Sequence, residues 1–480
     1  MPSLNSKIDI VLVNPPALSD EEFGMLSGAG CFRPPLNLLN LSAALLGGDY
    51  SVQIVDGVVL ENFENVLKTI VSLRPRYIGI TSMTAHIHAC GRLAEALKEM
   101  MPDTLIILGG IHISTLPEET MRIFPAFDIG VVGEGDRTIV NLLDKLENKE
   151  DLSLVPGLAL RSKGDVFLTP PVQLVDDLDA LPFPAWHLLA GYVTAYQPTT
   201  SRRTRLPSAY LVTSRGCPFN CSFCSNTVFG RTFRSYSVDY IMKMISVLSN
   251  DYKIKDLTIY DENLALERKR MVELCNRLID AEGDLTWSCD ARVDCVDDET
   301  LSLMYAAGCR SIWFGMESGN QNILDRYNKK ITLKDCDRAV MLCRRNNIKA
   351  TGSFIIGGPG ETAETIKDTI RFAKRSQLDY FVPIFYTPIP GTFDYAKIRD
   401  YGTCDLNYYS ATMTRPTFAP YGMSVKDVYF WYIFSLLSFY SQPKILSREL
   451  KLIGLKKVLI IGFKIILNLL KYFFKKVNNF

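Results

Sequence analysis

The sequence predicts an α/β chain with two successive parallel sheets, a doubly wound Rossmann-like domain followed by a partial (β/α)6 TIM-like barrel, and then a helical C-terminal tail. Three observations predict it. Short apolar runs alternate with amphipathic stretches through residues 8–132 and again through 209–386, and parallel strands need a crossover helix between them. Between the blocks the rhythm lapses, and Pro170, Pro171, Pro182 and Pro184 mark an extended connector. Residues 452–480 carry lysines and no acid. The expected divisions are therefore 1–150, a connector with a hairpin at 151–205, a barrel at 206–395 and a tail at 396–480.

Taken in order, the first block places strands at 8–14, 51–56, 77–83, 104–108 and 128–132, with helical patterns between them such as 36–46 and 91–101. In such sheets ligands sit outside the carboxyl ends of the strands. Those ends read Asn14-Pro-Pro, Asp56-Gly, Ser82-Met-Thr, Gly109-Gly110-Ile-His112 and Gly133-Glu-Gly-Asp. Glycine there lets backbone approach a bulky ligand. The connector holds a hairpin pattern around Ser162-Lys-Gly. The second block places strands at 209–213, 256–260, 285–291, 311–316, 350–356 and 380–386, with helices at 238–248, 268–281, 298–306, 333–346 and 363–376. Six βα units make an open barrel, shorter than the full eight.

Composition narrows the class. The chain is 47% hydrophobic and 22% charged over 480 residues, which is globular, and its net charge of +1 gives no bulk attraction to nucleic acid. Twelve cysteines, and no apolar leader in residues 1–9, lead to the expectation of a reducing, cytoplasmic compartment.

The most informative run is Ser214-Arg-Gly-Cys217-Pro-Phe-Asn-Cys221-Ser-Phe223-Cys224. Three thiolates at this spacing can hold three irons of a [4Fe–4S] cubane, whereas an electron-transfer ferredoxin closes its cluster with four. A zinc site with a distant fourth ligand, or three inert thiols, is the competing reading. Closed zinc sites usually bring two close Cys/His pairs, and neither Cys289/Cys295 nor Cys336/Cys343 has the short turn of a metal knuckle. His86, His88 and His112 are assigned to no metal.

This run resembles the radical S-adenosylmethionine (SAM) family, whose open iron chelates SAM. The resemblance continues through the strand ends Asp261-Glu262-Asn, Glu317-Ser318-Gly and Ile-Gly-Gly358-Pro-Gly-Glu361-Thr. It implies that Phe223, Asp261, Glu262, Glu317, Ser318, Gly358 and Glu361 contact SAM. Arg292 is expected to pair with an acidic neighbour or with the SAM carboxylate.

The first block resembles the cobalamin-binding fold. That resemblance implies cobalamin contacts from Asn14, Ser82, Gly109, Gly110, His112 and Gly133. The loop at 15–22 lacks the Asp-x-His-x-x-Gly that supplies the lower cobalt ligand in corrinoid mutases, so a cobalamin here is expected without that ligand.

Together, residues 8–392 resemble the cobalamin-binding radical SAM enzymes, of the anaerobic cyclase and methyltransferase type. What this implies is reductive cleavage of SAM to a 5′-deoxyadenosyl radical, hydrogen abstraction from an unactivated carbon, and methyl delivery from methylcobalamin. A flavodoxin or ferredoxin is the implied reductant. Alternatives are an oxidoreductase or cyclase without methyl transfer, and a non-catalytic corrinoid or cluster sensor. Methylthiotransfer is disfavoured, since the N-terminal region offers only Cys31 and Cys90.

In the tail, Lys456, Lys457, Lys464, Lys471 and Lys475 fall within a sector of about 100° on a helix. Lysine interrupts each apolar run before it reaches bilayer length. An interfacial helix on an anionic membrane, or a lipid-like substrate, is the expectation; a packed helix with a solvated lysine edge is the alternative. The aromatic run 429–434 lines a channel or fills a core.

Overall fold

Ile10–Asn14 (β1), Val52–Asp56 (β2), Tyr77–Thr81 (β3), Leu105–Gly109 (β4) and Ile129–Val131 (β5) are short apolar strands buried on both faces, as parallel strands sandwiched between helices must be. They come from a computed structural model that describes residues 8–16, 33–189, 191–405, 415–452, 454, 455 and 462. The strands pair in parallel in the order β2-β1-β3-β4-β5. Helices Leu36–Gly47 and Gly135–Glu147 cover one face through Leu38, Leu45, Ile139 and Leu142. Phe63–Leu73 and Ile87–Met100 cover the other through Val66, Ile70, Leu93 and Leu97. The order reverses between β1 and β3, which is where such sheets open a crevice at their carboxyl ends.

The hairpin expected inside the connector is part of this sheet. Leu158–Ser162 (β6) pairs antiparallel with β5, and Asp165–Leu168 (β7) follows it. Leu158 and Ala159 are buried and complete the edge, which a reading of βα rhythm alone does not reveal.

Ser208–Leu211 (β8) leads into the second unit. Ser214–Arg215 (β9) pairs with Arg234–Ser235 (β10), a two-residue ladder that closes the base of the cysteine loop. Asp256–Ile259 (β11), Thr286–Ala291 (β12), Cys309–Glu317 (β13), Lys349–Ile356 (β14) and Tyr380–Phe385 (β15) join β8 in one six-stranded parallel sheet in chain order. β8 and β15 are its edges, so the barrel is open. Outward residues such as Ile259, Cys289, Ile312, Phe314 and Phe354 pack with the five expected helices. Inward residues include small polar ones, among them Thr258, Ser288, Ser311 and Thr351.

Gly402–Cys404 (β16) pairs with Phe418–Pro420 (β17), and helix Val425–Tyr440 follows, started by a Ser424/Asp427 capping box. The aromatic run divides across this helix. Tyr429, Tyr432 and Ile433 pack on Phe385 and Ile356, while Phe430 and Phe434 face outward at 39% and 43% exposure. The lysine stripe lies outside the described residues. Among those described, no helix is long and apolar enough to cross a membrane.

Candidate functional site

The cysteine loop is held from below and from both sides. Gly216 has φ +85°, and a Cβ there would stand 2.2 Å from the Thr232 carbonyl oxygen, so only glycine serves. Asn226 donates to the Cys217 and Phe219 carbonyls at 3.4 and 3.3 Å, and the Cys224 amide donates to the Cys221 carbonyl at 3.1 Å. From the sides, Ser222 donates its amide to Tyr327 O and its hydroxyl to Asp394. Asn328 donates to the Asn220 carbonyl.

The thiols are close enough to disturb one another. Burial pushes the Cys224 thiol up to about 11, and the neighbouring Cys221 and Cys217 add to it. Burial also raises Cys221, against the opposing pull of the Lys329 and Arg292 cations. Three thiolates in one loop need more positive charge than these two supply, and a bound iron cluster provides it, since metal ions invert local acidity. Among the described residues, no three His, Cys, Asp or Glu side chains gather as one metal ion needs; a cubane takes each thiolate on a different iron.

Glu317 closes β13 at a register shift, with φ +63°. Such a bulge with a strained residue re-aims a side chain. Its carboxylate accepts from Lys329 at 2.8 Å, both nine-tenths buried. A Cβ at Gly315 would meet this pair at 2.5 and 2.9 Å, so the glycine makes room for it. Lys329 Nζ lies 5.9 Å from the Phe223 ring centroid, and Phe223 meets Tyr327 edge-on at 5.4 Å. Arg292 takes the acidic neighbour: it grips Asp294 with two bonds of 3.0 and 2.9 Å and lies 3.6 Å over the Phe219 ring. Glu262 is accessible yet surrounded by protein, and burial raises its carboxyl. A group both reachable and enclosed sits in a concave mouth.

Other expected SAM residues spend polar atoms within the protein, although Glu361 keeps one buried oxygen, Oε1, without a partner. Asp261 accepts from the Thr213 amide and hydroxyl at 2.6 Å each, and from the Ser214 amide and hydroxyl at 3.2 and 2.6 Å. It positions the chain entering the cysteine loop. Asp261→Ala therefore destabilises the fold by about 3 kcal/mol, because buried donors lose their acceptor; reconstituted iron per chain falls with it, and Asp261→Asn is intermediate. Ser318 is fully buried against Thr369 at 3.2 Å. Gly358 is needed because a Cβ would stand 1.9 Å from the Tyr327 hydroxyl.

Glu361 turns back on its own loop, accepting from the amides of Gly357 and Gly358 at 2.6 and 3.0 Å. Burial pushes its carboxyl from 4.5 up to about 8. A folded-state pKa above the unfolded value means that the unfolded chain loses the proton first. Stability from this group is thus full below about 4.5 and is lost as pH rises to about 8. Glu361→Gln removes that dependence, and urea unfolding of both proteins from pH 5 to 8 reads it as a widening gap in favour of the variant.

At the carboxyl edge of the first sheet, the Ser82 amide and hydroxyl both donate to the Gly109 carbonyl, at 2.8 and 3.0 Å. Gly110 has φ +103°, with a Cβ position 2.5 Å from Ser82 O. Ser114 links Gly110 O to the Gly133 amide. Above Gly109 an added Cβ meets nothing within 4 Å, so this turn presents bare backbone to open space. That fits a bulky flat ligand. His112 lies beneath the turn, 1% exposed, with Nδ1 3.2 Å from the Thr84 hydroxyl; burial lowers its pKa to about 4. It supports the turn from beneath, its amide donating to the Ser82 carbonyl at 3.2 Å. Asn14 donates to Asp56 at 2.8 Å, and Asp56 also accepts from Tyr196 in the connector.

The two carboxyl edges face each other. Arg215, two residues before Cys217, bonds Glu134 at 2.5 Å and Asp136 at 2.7 and 3.0 Å, and Arg234 bonds Glu134 at 3.0 Å. All four side chains are at least nine-tenths buried. The Gly391 turn after β15 packs against Thr115, at the end of the short helix Ile111–Thr115 that follows β4, and Thr227 beside the cysteine loop. Sequence reasoning missed Glu134, Asp136, Arg215, Arg234 and Lys329. The available signal was charge in unusual places, two acids in a Gly-rich strand end and an Arg immediately before the cysteine run.

Comparison with known proteins agrees with this arrangement. The family model described as "Radical SAM superfamily" matches residues 211–373, and "B12 binding domain" matches 29–143. The chain is 32% identical to an uncharacterized methyltransferase of Pyrococcus horikoshii, over 92% of this chain and 94% of that one. It is 31% identical to the anaerobic magnesium-protoporphyrin IX monomethyl ester cyclase of Rubrivivax gelatinosus, over 76% and 66%. Among solved structures, the cobalamin-dependent S-adenosylmethionine radical enzyme OxsB, with aqua-cobalamin and S-adenosylmethionine bound, superposes with a TM-score of 0.72 at 18% identity, covering 88% of this chain and 65% of that one.

Proposed function

Because the chain belongs to the cobalamin-binding radical SAM enzymes, we propose that it is a methyltransferase acting on an unactivated carbon of a small molecule. Its cofactors are a [4Fe–4S] cluster, SAM and cobalamin. When bound, the cluster and SAM supply hydrogen-abstracting radical chemistry, and cobalamin supplies a methyl carrier. The observation that carries the reading is the buried joint between the cysteine loop and the first sheet, Arg215 on Glu134 and Asp136. It sets the cluster loop against the glycine-lined edge, so that radical and methyl sources share one enclosure.

The chain's own residues bind and orient. Cys217, Cys221 and Cys224 hold the cluster; Phe223, Glu262 and Glu317 face SAM; Asp261, Ser318, Gly358 and Glu361 shape the walls behind them. Ser82, Gly109, Gly110 and Gly133 form the cobalamin edge, propped by Asn14 and His112. Lys329 holds the Glu317 carboxylate in place.

Product analysis under strong reduction tests this. S-adenosylhomocysteine formed together with 5′-deoxyadenosine supports methyl transfer. Deoxyadenosine alone supports the second reading, ring closure or another oxidation without methyl transfer, which the likeness to the cyclase favours. No cleavage of SAM at all points to a sensor.

A small-molecule substrate and a flavodoxin- or ferredoxin-type reductant complete the reaction, with no nucleic acid partner. The proposed location is cytoplasmic, at the membrane face. Outward Phe430, Phe434 and Leu437 and the lysine-rich 452–480 segment support peripheral association. Co-sedimentation with anionic but not neutral vesicles is the expected result; equal recovery without vesicles contradicts it.

A further inference from the structure

Tyr260, Asp290, Trp313 and Thr351 stand in one row across four neighbouring strand lines, because Asp290 pairs with Trp313, Trp313 with Thr351, and Tyr260 follows the Ile259–Cys289 pair. By strand alternation all four face the barrel lumen. Two arginines close on this row. Arg202, from the connector, lies 3.9 Å over the Trp313 ring with Nη2 2.8 Å from Asp290 Oδ1. Arg33, exposed on the segment after β1, lies 4.9 Å over the Tyr260 ring and bonds its hydroxyl. It also acts on Asp290.

Two guanidinium groups thus act on the Asp290 carboxylate. The network is also incomplete. Arg202 is 8% exposed, and its Nη1 has no hydrogen-bond partner; nor do Trp313 Nε1, Thr351 Oγ1 or Asp290 Oδ1, whose contact with Arg202 is close but misaligned. Buried donors without acceptors are costly, and an oxyanion supplies acceptors to Arg202, Trp313 and Thr351 at once. Two residues up the same face of β13, about 7 Å along the strand, Gly315 lies against the Glu317–Lys329 pair, which marks the cluster side of the mouth.

We propose that Arg33 and Arg202, with the Tyr260–Asp290–Trp313–Thr351 row, form a subsite in the barrel lumen that holds an oxyanion of the substrate, a carboxylate or a phosphate. The inference rests on the enzyme reading above and names the substrate class, an acid whose reacting carbon lies toward the cluster.

Binding is measured without turnover, on protein loaded with cluster and cobalamin and saturated with SAM. The probes are indole-3-propionate, its carboxamide and phenyl phosphate, titrated by calorimetry. The acids bind about tenfold tighter than the amide, and the gap closes in Arg33→Gln and in Arg202→Gln. The stronger of the two acids identifies the oxyanion. Iron and cobalamin content verify that each variant is folded, and exposed Arg33 is the safer site. Equal affinity for acid and amide, a preference that survives both substitutions, or competition with SAM itself overturns the subsite. A failure of methyl transfer leaves this binding result untouched, so the two readings fail separately.

Discussion

Arg215→Met destabilises the protein by about 3–5 kcal/mol, because it leaves Asp136 without its counter-charge and Glu134 with Arg234 as its cation and the Val175 amide in a buried setting. The pair itself is not the reason for so large an effect. Taking charges out of water costs nearly what their attraction returns, and the loss comes from the uncompensated carboxylates. Neutralising them with Asp136→Asn and Glu134→Gln in the same chain therefore recovers a large part of the stability. The joint also orients. Even the stabilised triple variant, with its iron intact, shifts products toward 5′-deoxyadenosine without S-adenosylhomocysteine, since the cysteine loop is no longer pinned to the first sheet. Denaturant unfolding and product ratios read these two effects independently. Equal unfolding midpoints for wild type and Arg215→Met contradict the energetic argument.

Cys217→Ala, Cys221→Ala and Cys224→Ala each abolish SAM cleavage and strip most of the iron, a larger functional effect with a smaller structural one. The loop is anchored by Gly216, Asn226, Ser222 and Asn328 rather than by the thiols. The apo variants consequently keep their circular dichroism and unfold near the wild-type apo midpoint. Cys224, enclosed by the loop yet the most accessible of the three, is the mildest for folding. Cys343→Ala, a buried thiol on a barrel helix, gives the opposite pattern: iron and cleavage persist while stability falls by about 1 kcal/mol, as expected for a small core deletion.

The parts of this fold that were legible in the sequence are those written in local pattern. Strands such as 8–14 and 350–356 announce themselves because parallel strands covered on both faces are continuous apolar runs. The cysteine run is legible because cluster ligation demands a fixed spacing on one short loop. What was not legible depends on which distant group a side chain meets. Asp261 and Glu361 occupy motif positions, yet one is saturated by Thr213 and Ser214 and the other turns one carboxylate oxygen to its own loop amides while its buried Oε1 has no partner. Ser318 faces Thr369, on the helix wall. His112 looks like a contact residue in sequence and is a buried prop in space. The β6–β7 hairpin is legible as a hairpin but not as part of the first sheet, because its pairing partner, β5, belongs to an otherwise parallel sheet. The Arg215 joint spans residues 134 to 234 and has no periodicity at all; only the oddity of charges beside strand-end glycines hints at it.

In the proposed function, one enclosure brings the cluster loop and a cobalamin-binding edge together for methyl transfer. The most direct test is to purify the protein without oxygen from cells supplied with cobalamin, then read cobalamin by optical spectrum and extraction beside iron content. Near-stoichiometric cobalamin alongside an intact cluster is the predicted result, with Gly109→Leu losing cobalamin and retaining iron because its side chain fills the open space above the turn. An intact cluster with no cobalamin contradicts the claim and makes the first sheet a scaffold for radical chemistry that needs no methyl carrier.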